Sequence, residues 1–220
     1  MRFILLKFAI DKGVGFSYNI LYIVIFNRKD RLVYFFIAPS AERQINMSLK
    51  VVKFGGSSLA DAEHFKQVAS IIKADPQRRY VVPSAPGKRF KEDTKVTDML
   101  YECYEKIRNH ENIDELYAKI SDRYNSIIEG LGLDFDISGE LEYVKNAMMH
   151  RSGRDFAASR GEYLNSLILA KYLKFDFIDA ENVIYFKDNG TLDEEKTNEA
   201  MSEELMQHRN AVIPGFYGVM

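Results

Sequence analysis

Val51-Val52-Lys53-Phe54-Gly55-Gly56-Ser57-Ser58 decides how the rest of the chain is read. An apolar strand carries a lysine near its end, two glycines follow, and two hydroxyl residues open a helix. Glycines let the backbone turn tightly and come close to an anion. A helix start adds orphan N–H donors and a partial positive charge. Lysine supplies a point charge for a phosphoryl oxygen. The stretch therefore reads as a phosphate-binding corner. The lysine precedes the glycines, which separates it from a Walker A loop. An ordinary strand-to-helix turn has the same composition, because Gly and Ser dominate such turns.

Outward from that corner, a helix is expected from Ser57 or Ser58 as N-cap, with Asp61 and Glu63 in its first turn. Phe65, Val68, Ala69 and Ile72 recur at helical spacing, and Asp75-Pro76 ends the run. A second strand, residues 79–83, runs into Ser84-Ala85-Pro86-Gly87-Lys88-Arg89. Strand, helix and strand in that order favour a right-handed parallel crossover. Ligands in such sheets sit beyond the carboxyl ends of the strands, which puts Ser84 beside the first loop. Lys88 and Arg89 read equally as site cations or as solvated loop charges.

Thr97 is a good N-cap for a helix with Met99, Leu100, Cys103 and Ile107 on its apolar side. Residues 111–131 read as a long amphipathic helix stopped by Gly130-Leu131-Gly132, and residues 138–150 as another. Ser159-Arg160-Gly161-Glu162 stands ahead of an apolar helix over residues 163–173, where Glu162 would complement the helix start. Residues 175–180 read as a short strand, with Asp179 either a site residue or its polar end. Residues 183–186 suggest a hairpin strand, and Asp193 starts a polar helix reaching about Gln207. Ala211-Val212-Ile213-Pro214-Gly215-Phe216-Tyr217-Gly218 reads as a central strand entering a glycine turn.

Composition sets outer limits. The chain has 220 residues, 46% of them apolar, enough for one sizeable core. A net charge of −2 leaves no footprint for nucleic acid or an anionic membrane. Cys103 is the single cysteine, which excludes a disulfide framework, suits a reducing cytoplasm, and reads as core. His64, His110, His150 and His208 lack metal-ligand spacing, and no metal site is expected. Residues 1–46 differ from the rest: apolar runs at 16–26 and 32–38 flank Asn27-Arg28-Lys29-Asp30-Arg31. Each run falls well short of the roughly 20 residues that span a bilayer, and two weak strands fit better. A membrane-associated arm is the minority reading of this segment.

Lys-Phe-Gly-Gly-Ser-Ser a few residues after Met47 resembles the opening motif of aspartate kinases, in the amino-acid kinase superfamily. Val82-Pro83-Ser84-Ala85, Ser159-Arg160-Gly161-Glu162, Phe177-Ile178-Asp179-Ala180 and Pro214-Gly215-Phe216-Tyr217-Gly218 fit the same family in the same order. The resemblance covers residues 47–220, so two segments are expected: an atypical extension over 1–46, ahead of a functional start at Met47, and the N-terminal part of a kinase domain over 47–220. It implies a three-layer αβα sandwich around a mainly parallel sheet, truncated here, because the family's later Gly-Arg-Gly-Gly-Ser-Asp loop and adenine-binding half are absent.

The resemblance further implies ATP-dependent phosphorylation of the L-aspartate side-chain carboxylate. Lys53 would bridge the transferring phosphoryl oxygens. Phe54, Gly55, Gly56 and Ser57 would line the ATP site. Ser84, Thr97, Glu162 and Phe216 would serve the amino acid, with Glu162 accepting from its α-ammonium. Mg2+ would be held mainly by ATP, and the resemblance leaves room for a homo-oligomer in the intact protein. Two other readings remain beside it: a superfamily member acting on glutamate, acetylglutamate, carbamate or UMP, and a non-catalytic fragment that pairs with another chain through an open sheet edge.

Overall fold

The computed structural model describes residues 49–150 and 153–219 in full and, as backbone, residues 6–10 and 19–23. Those two backbone segments are β1, Leu6–Ile10, and β2, Asn19–Ile23, paired antiparallel. β2 falls inside the first expected run; the second, at 32–38, lies outside the described residues.

The remaining strands form one four-stranded, all-parallel sheet. β3 is Lys50–Phe54, β4 Arg78–Pro83, β5 Asp176–Phe177 and β6 Ala211–Val212. Their order is β3-β4-β6-β5, so the last strand in sequence is an inner one. Side-chain alternation shows why helices must cover both faces. Val52, Phe54, Val81 and Val212 enter one core, with α1 (Ala62–Lys73), α2 (Val96–Arg108), α3 (Asp114–Leu131), α4 (Ser138–His150) and α5 (Arg154–Leu173). Their neighbours Val51, Tyr80, Ala211 and Ile213 enter a second core, with the short α6 (Ala180–Val183) and with α7 (Glu194–Gln207). Helices, sheet and helices make the three layers.

Local chemistry explains most boundaries. Gly132 ends α3 in the left-handed region at φ 63. Asp193 caps α7 by accepting from the Lys196 N–H at 3.2 Å. Cys103 is fully buried, and that burial pushes its thiol up to about 12. In place of a hairpin strand over 183–186, Tyr185 pairs in parallel with Val219, and Phe186 pairs antiparallel with Leu192. Among the described residues no helix is long and apolar enough to cross a membrane.

Three expected caps move. Gly56–Leu59 forms a single 3-10 turn, and α1 is capped by Asp61, not by Ser57 or Ser58. The Asp61 carboxylate accepts from the His64 N–H at 3.0 Å and so occupies the α1 terminus itself. α2 begins at Val96 behind Lys95, so Thr97 lies inside its first turn and caps nothing. α5 begins at Arg154, which puts Ser159-Arg160-Gly161-Glu162 in the helix interior, where Glu162 owes nothing to the terminal dipole.

Candidate functional site

The carboxyl ends of β3 and β4 meet backbone to backbone. The Ser84 N–H donates to the Phe54 carbonyl at 2.9 Å, and the Gly87 N–H donates to the Gly56 carbonyl at 2.8 Å. A Cβ at Gly56 would stand 2.7 Å from the Ala85 carbonyl oxygen, and one at Gly87 2.5 Å from the Gly56 carbonyl carbon. These two glycines are therefore demanded by the crossing of the loops. Gly55 is different: a Cβ there would meet nothing within 4 Å, and its φ of −76 suits any residue. Its bare backbone faces open space beside Lys53, which is itself exposed.

α5 brings Glu162 to this corner from the helical layer. Gly161 allows the approach, since a Cβ there would lie 2.9 Å from the Ala85 Cβ and 3.1 Å from Leu100 Cδ1. The Gly161 carbonyl accepts from the Tyr124 hydroxyl at 2.8 Å, fixing the α5 turn against α3. Beyond β6 the chain bends over Glu162: a Cβ at Gly215 would sit 3.4 Å from Glu162 Oε2 and 3.2 Å from Val82 Cγ1. Oε2 is buried and has no hydrogen-bond partner among the described residues. Burial pushes the Glu162 carboxyl up to about 7; the Lys53 ammonium and the Ser84 hydroxyl act against it and only in part. Lys53 from β3, Ser84 after β4, Gly215 after β6 and Glu162 from α5 thus meet around one carboxylate at the carboxyl end of the sheet.

Asn165 was not anticipated. It is fully buried one helical turn beyond Glu162; its Nδ2 donates to the Ser84 carbonyl at 2.7 Å, while Oδ1 has no partner. The available signal was spacing, because residues three apart share a helix face. Thr97 is half-buried in the first turn of α2, which starts where the Val96 N–H donates to the Pro86 carbonyl at 3.2 Å. Ser57 is exposed on the 3-10 turn. Phe216 is 61% exposed at a φ of 79, in the same turn as Gly215, whose backbone lies against Glu162.

The loop carrying Lys88 and Arg89 is anchored by charge. Arg89 Nε donates to Asp93 at 2.8 Å, and buried Arg123 of α3 donates to Asp93 at 2.7 and 2.9 Å and to the Gly87 carbonyl at 3.0 Å. Arg89 therefore has a structural partner. Lys88 is exposed and donates to the Lys91 carbonyl at 3.4 Å.

Chemically, the site offers a cation and bare glycine backbone on one side and a desolvated carboxylate with an unfilled acceptor on the other. The first suits phosphoryl oxygens, the second an ammonium group.

Comparison with known proteins identifies the family. Over 188 residues the chain is 34% identical to aspartokinase 3 of Bacillus subtilis, covering 77% of this chain and 40% of that protein. It is 30% identical over 153 residues to the aspartokinase of Chlamydia pneumoniae, covering 65% and 32%. The crystal structure of Clostridium acetobutylicum aspartate kinase superposes with a TM-score of 0.74 at 50% identity, over 76% of this chain and 39% of that one. Escherichia coli aspartokinase III, solved with aspartate and ADP, has a TM-score of 0.63 at 24% identity over 76% and 40%, and shares the fold. The chain thus spans about 40% or less of the length of these relatives. The profile of the amino acid kinase family matches residues 48–220, nearly all of the sequence beyond the N-terminal segment, and the chain belongs to that family.

Proposed function

We propose that the protein of which this sequence forms the front part is an aspartate kinase, transferring the γ-phosphoryl group of ATP to the side-chain carboxylate of L-aspartate to give 4-phospho-L-aspartate. The observation that carries the reading is the nearness of Lys53 to Glu162, with a buried Glu162 oxygen that has no donor among the described residues. The aspartokinase relatives and the aspartate and ADP bound to the E. coli enzyme favour the same substrates.

The chemistry follows from charge. Aspartate's carboxylate is ionised at neutral pH and needs no general base to attack phosphorus. The protein must align it and offset charge on the transferring phosphoryl group. Lys53 is the group assigned to that charge. The backbone at Phe54, Gly55, Gly56 and Ser57 borders the ATP phosphates; Asp61 already fills the α1 terminus, so the 3-10 turn takes the role expected of that helix. Glu162 accepts from the substrate ammonium, Ser84 and Thr97 line the amino-acid side, and Phe216 shapes its rim. Mg2+ arrives on the ATP phosphates; among the described residues no three His, Cys, Asp or Glu side chains group to ligate it. The lone reduced thiol fits a cytoplasmic setting, and the product class fits synthesis of amino acids of the aspartate family.

In the full-length protein, Lys53→Ala is expected to cost about 2–4 kcal/mol of transition-state stabilisation, measured as kcat/KM for aspartate-dependent hydroxamate formation. Near-normal turnover would remove Lys53 from the mechanism. ADP release measured with glutamate, acetylglutamate, carbamate and UMP as acceptors separates aspartate from the family's other substrates.

A further inference from the structure

Arg160 has an unusual setting for a charged residue. Its side chain is 3% exposed, and its guanidinium carbon lies 4.4 Å from the Tyr217 ring, 4.5 Å from Phe156 and 5.0 Å from Tyr163. Nε donates to Ser159 Oγ at 3.1 Å, and a terminal nitrogen donates to Glu181 Oε1 at 3.2 Å. Phe156 and Tyr163 belong to α5, as does Arg160; Tyr217 belongs to the turn after β6. The Tyr217 hydroxyl donates to Asp179 Oδ1 at 2.7 Å, and Asp179 caps α6. A flat guanidinium stacked on three rings holds shape in a way that a lysine cannot.

The held turn is the one over Glu162. It leaves the sheet where the Ile213 N–H donates to the Val81 carbonyl at 2.9 Å, and it returns where the Val219 N–H donates to the Ile184 carbonyl at 2.8 Å. Between them Phe216 sits at a φ of 79, a conformation a side-chain-bearing residue keeps only when its surroundings impose it. Gly215, two residues before Tyr217, lies against Glu162 Oε2. Arg160 is two residues before Glu162, and helix residues two apart do not face each other. Arg160 therefore makes no side-chain contact with the carboxylate, and its structural hold on that group runs through the turn.

We infer that Arg160 is a positioning residue: its stack on Tyr217 clamps the 214–217 turn to α5, keeps Gly215 over Glu162, and so keeps the ammonium-accepting side of the site dry. The clamp concerns the same site as the proposed function and relies on that reading only for the identity of the ligand.

The test is the titration of Glu162 in this chain, followed by carbon NMR of glutamate-labelled protein, with Glu162→Gln to identify the signal. The groups that act on Glu162 are Lys53 from β3 and Ser84 after β4; Tyr124 from α3, itself pushed up in part by Glu162, stays neutral in this range, and none of the three is altered. The wild-type midpoint is expected near 7. Arg160→Met and Tyr217→Leu each open the turn to water, and the midpoint falls by about a unit or more toward the ordinary carboxylate range. Tyr217→Phe keeps the ring and loses only the Asp179 bond, so it holds the wild-type midpoint. Removing a cation without moving the turn acts in the opposite direction and raises the midpoint. A midpoint unchanged or raised in both opening variants overturns the clamp; if Arg160→Met does not fold, Tyr217→Leu alone decides. L-aspartate added to the full-length protein lowers the midpoint when Glu162 takes its ammonium. Failure of that shift alone counts against the aspartate reading and leaves the clamp standing.

Discussion

Arg123 and Glu162 are both charged residues turned inward from helices, and the protein treats them in opposite ways. Arg123 is 4% exposed, and its donors are spent on Asp93, the Gly87 carbonyl and the Thr94 carbonyl. Glu162 keeps one oxygen buried and unpartnered, with Lys53 near enough to act on it but forming no salt bridge. A buried charge fully served by the chain is part of the scaffold. A buried charge left short is held for something that arrives from outside.

The widest gap between the two regions should appear when a partner is removed. Asp93→Ala strands the Arg123 guanidinium in the interior, and we expect about 3–5 kcal/mol of destabilisation in denaturant unfolding. A loss below about 1 kcal/mol would erase the distinction drawn above. The Arg89 bonds, together with Arg123, hold the Asp93 carboxyl well below the usual carboxylate range. A depressed folded value contributes stability that is present above the unfolded value and lost as pH falls through the folded one. Wild type should therefore weaken progressively below about pH 4, while Asp93→Ala lacks this share of the acid loss.

Glu162 has the reverse sign. Its folded value, about 7, exceeds the ordinary 4.5. Stability is then complete below the unfolded value and declines as pH rises through the folded one, by up to about 3 kcal/mol. Glu162→Gln removes that slope. Unfolding measured from pH 4.5 to 8 should show a steeper fall for wild type than for the variant, which keeps only the share of other groups such as His208, and the variant the more stable above pH 7. Parallel curves would mean that the carboxylate is already served by the protein. The trade of stability for a poised site is expected where a group is kept for a ligand.

How much of this was readable beforehand differs by element. α3 and α4 show a one-sided apolar stripe, and their spans were expected nearly to the residue. α5 was cut short because it is buried nearly all round: Ser159, Arg160, Asn165 and Ser166 are polar yet inside, so its first turns read as a polar boundary. Asp61 lost the cap to Ser57 and Ser58 on paper because a 3-10 turn, which periodicity does not reveal, comes between strand and helix. The residue types of the site were legible as motifs. The Arg123–Asp93 anchor was not, because its members lie thirty positions apart and each looks like a solvated charge within its own segment.

Gly55 and Gly56 carry the same contrast at the scale of one methyl group. At Gly56 a Cβ meets the Ala85 carbonyl oxygen at 2.7 Å, a backbone atom that cannot step aside without moving the β4 loop. Gly56→Ala should cost about 1–3 kcal/mol of stability, the range for forcing bulk into a packed site. At Gly55 the same methyl meets nothing, and φ is already negative. Gly55→Ala should leave stability unchanged or raise it by about 0.4–1 kcal/mol through the unfolded chain. If ATP phosphates lie along this backbone, the loss appears in nucleotide affinity, because the methyl fills space that only a ligand would use. Equal destabilisation by both substitutions would make the pair a plain strand-to-helix turn; a stable Gly55→Ala with weakened nucleotide binding marks Gly55 as the glycine kept for the phosphate.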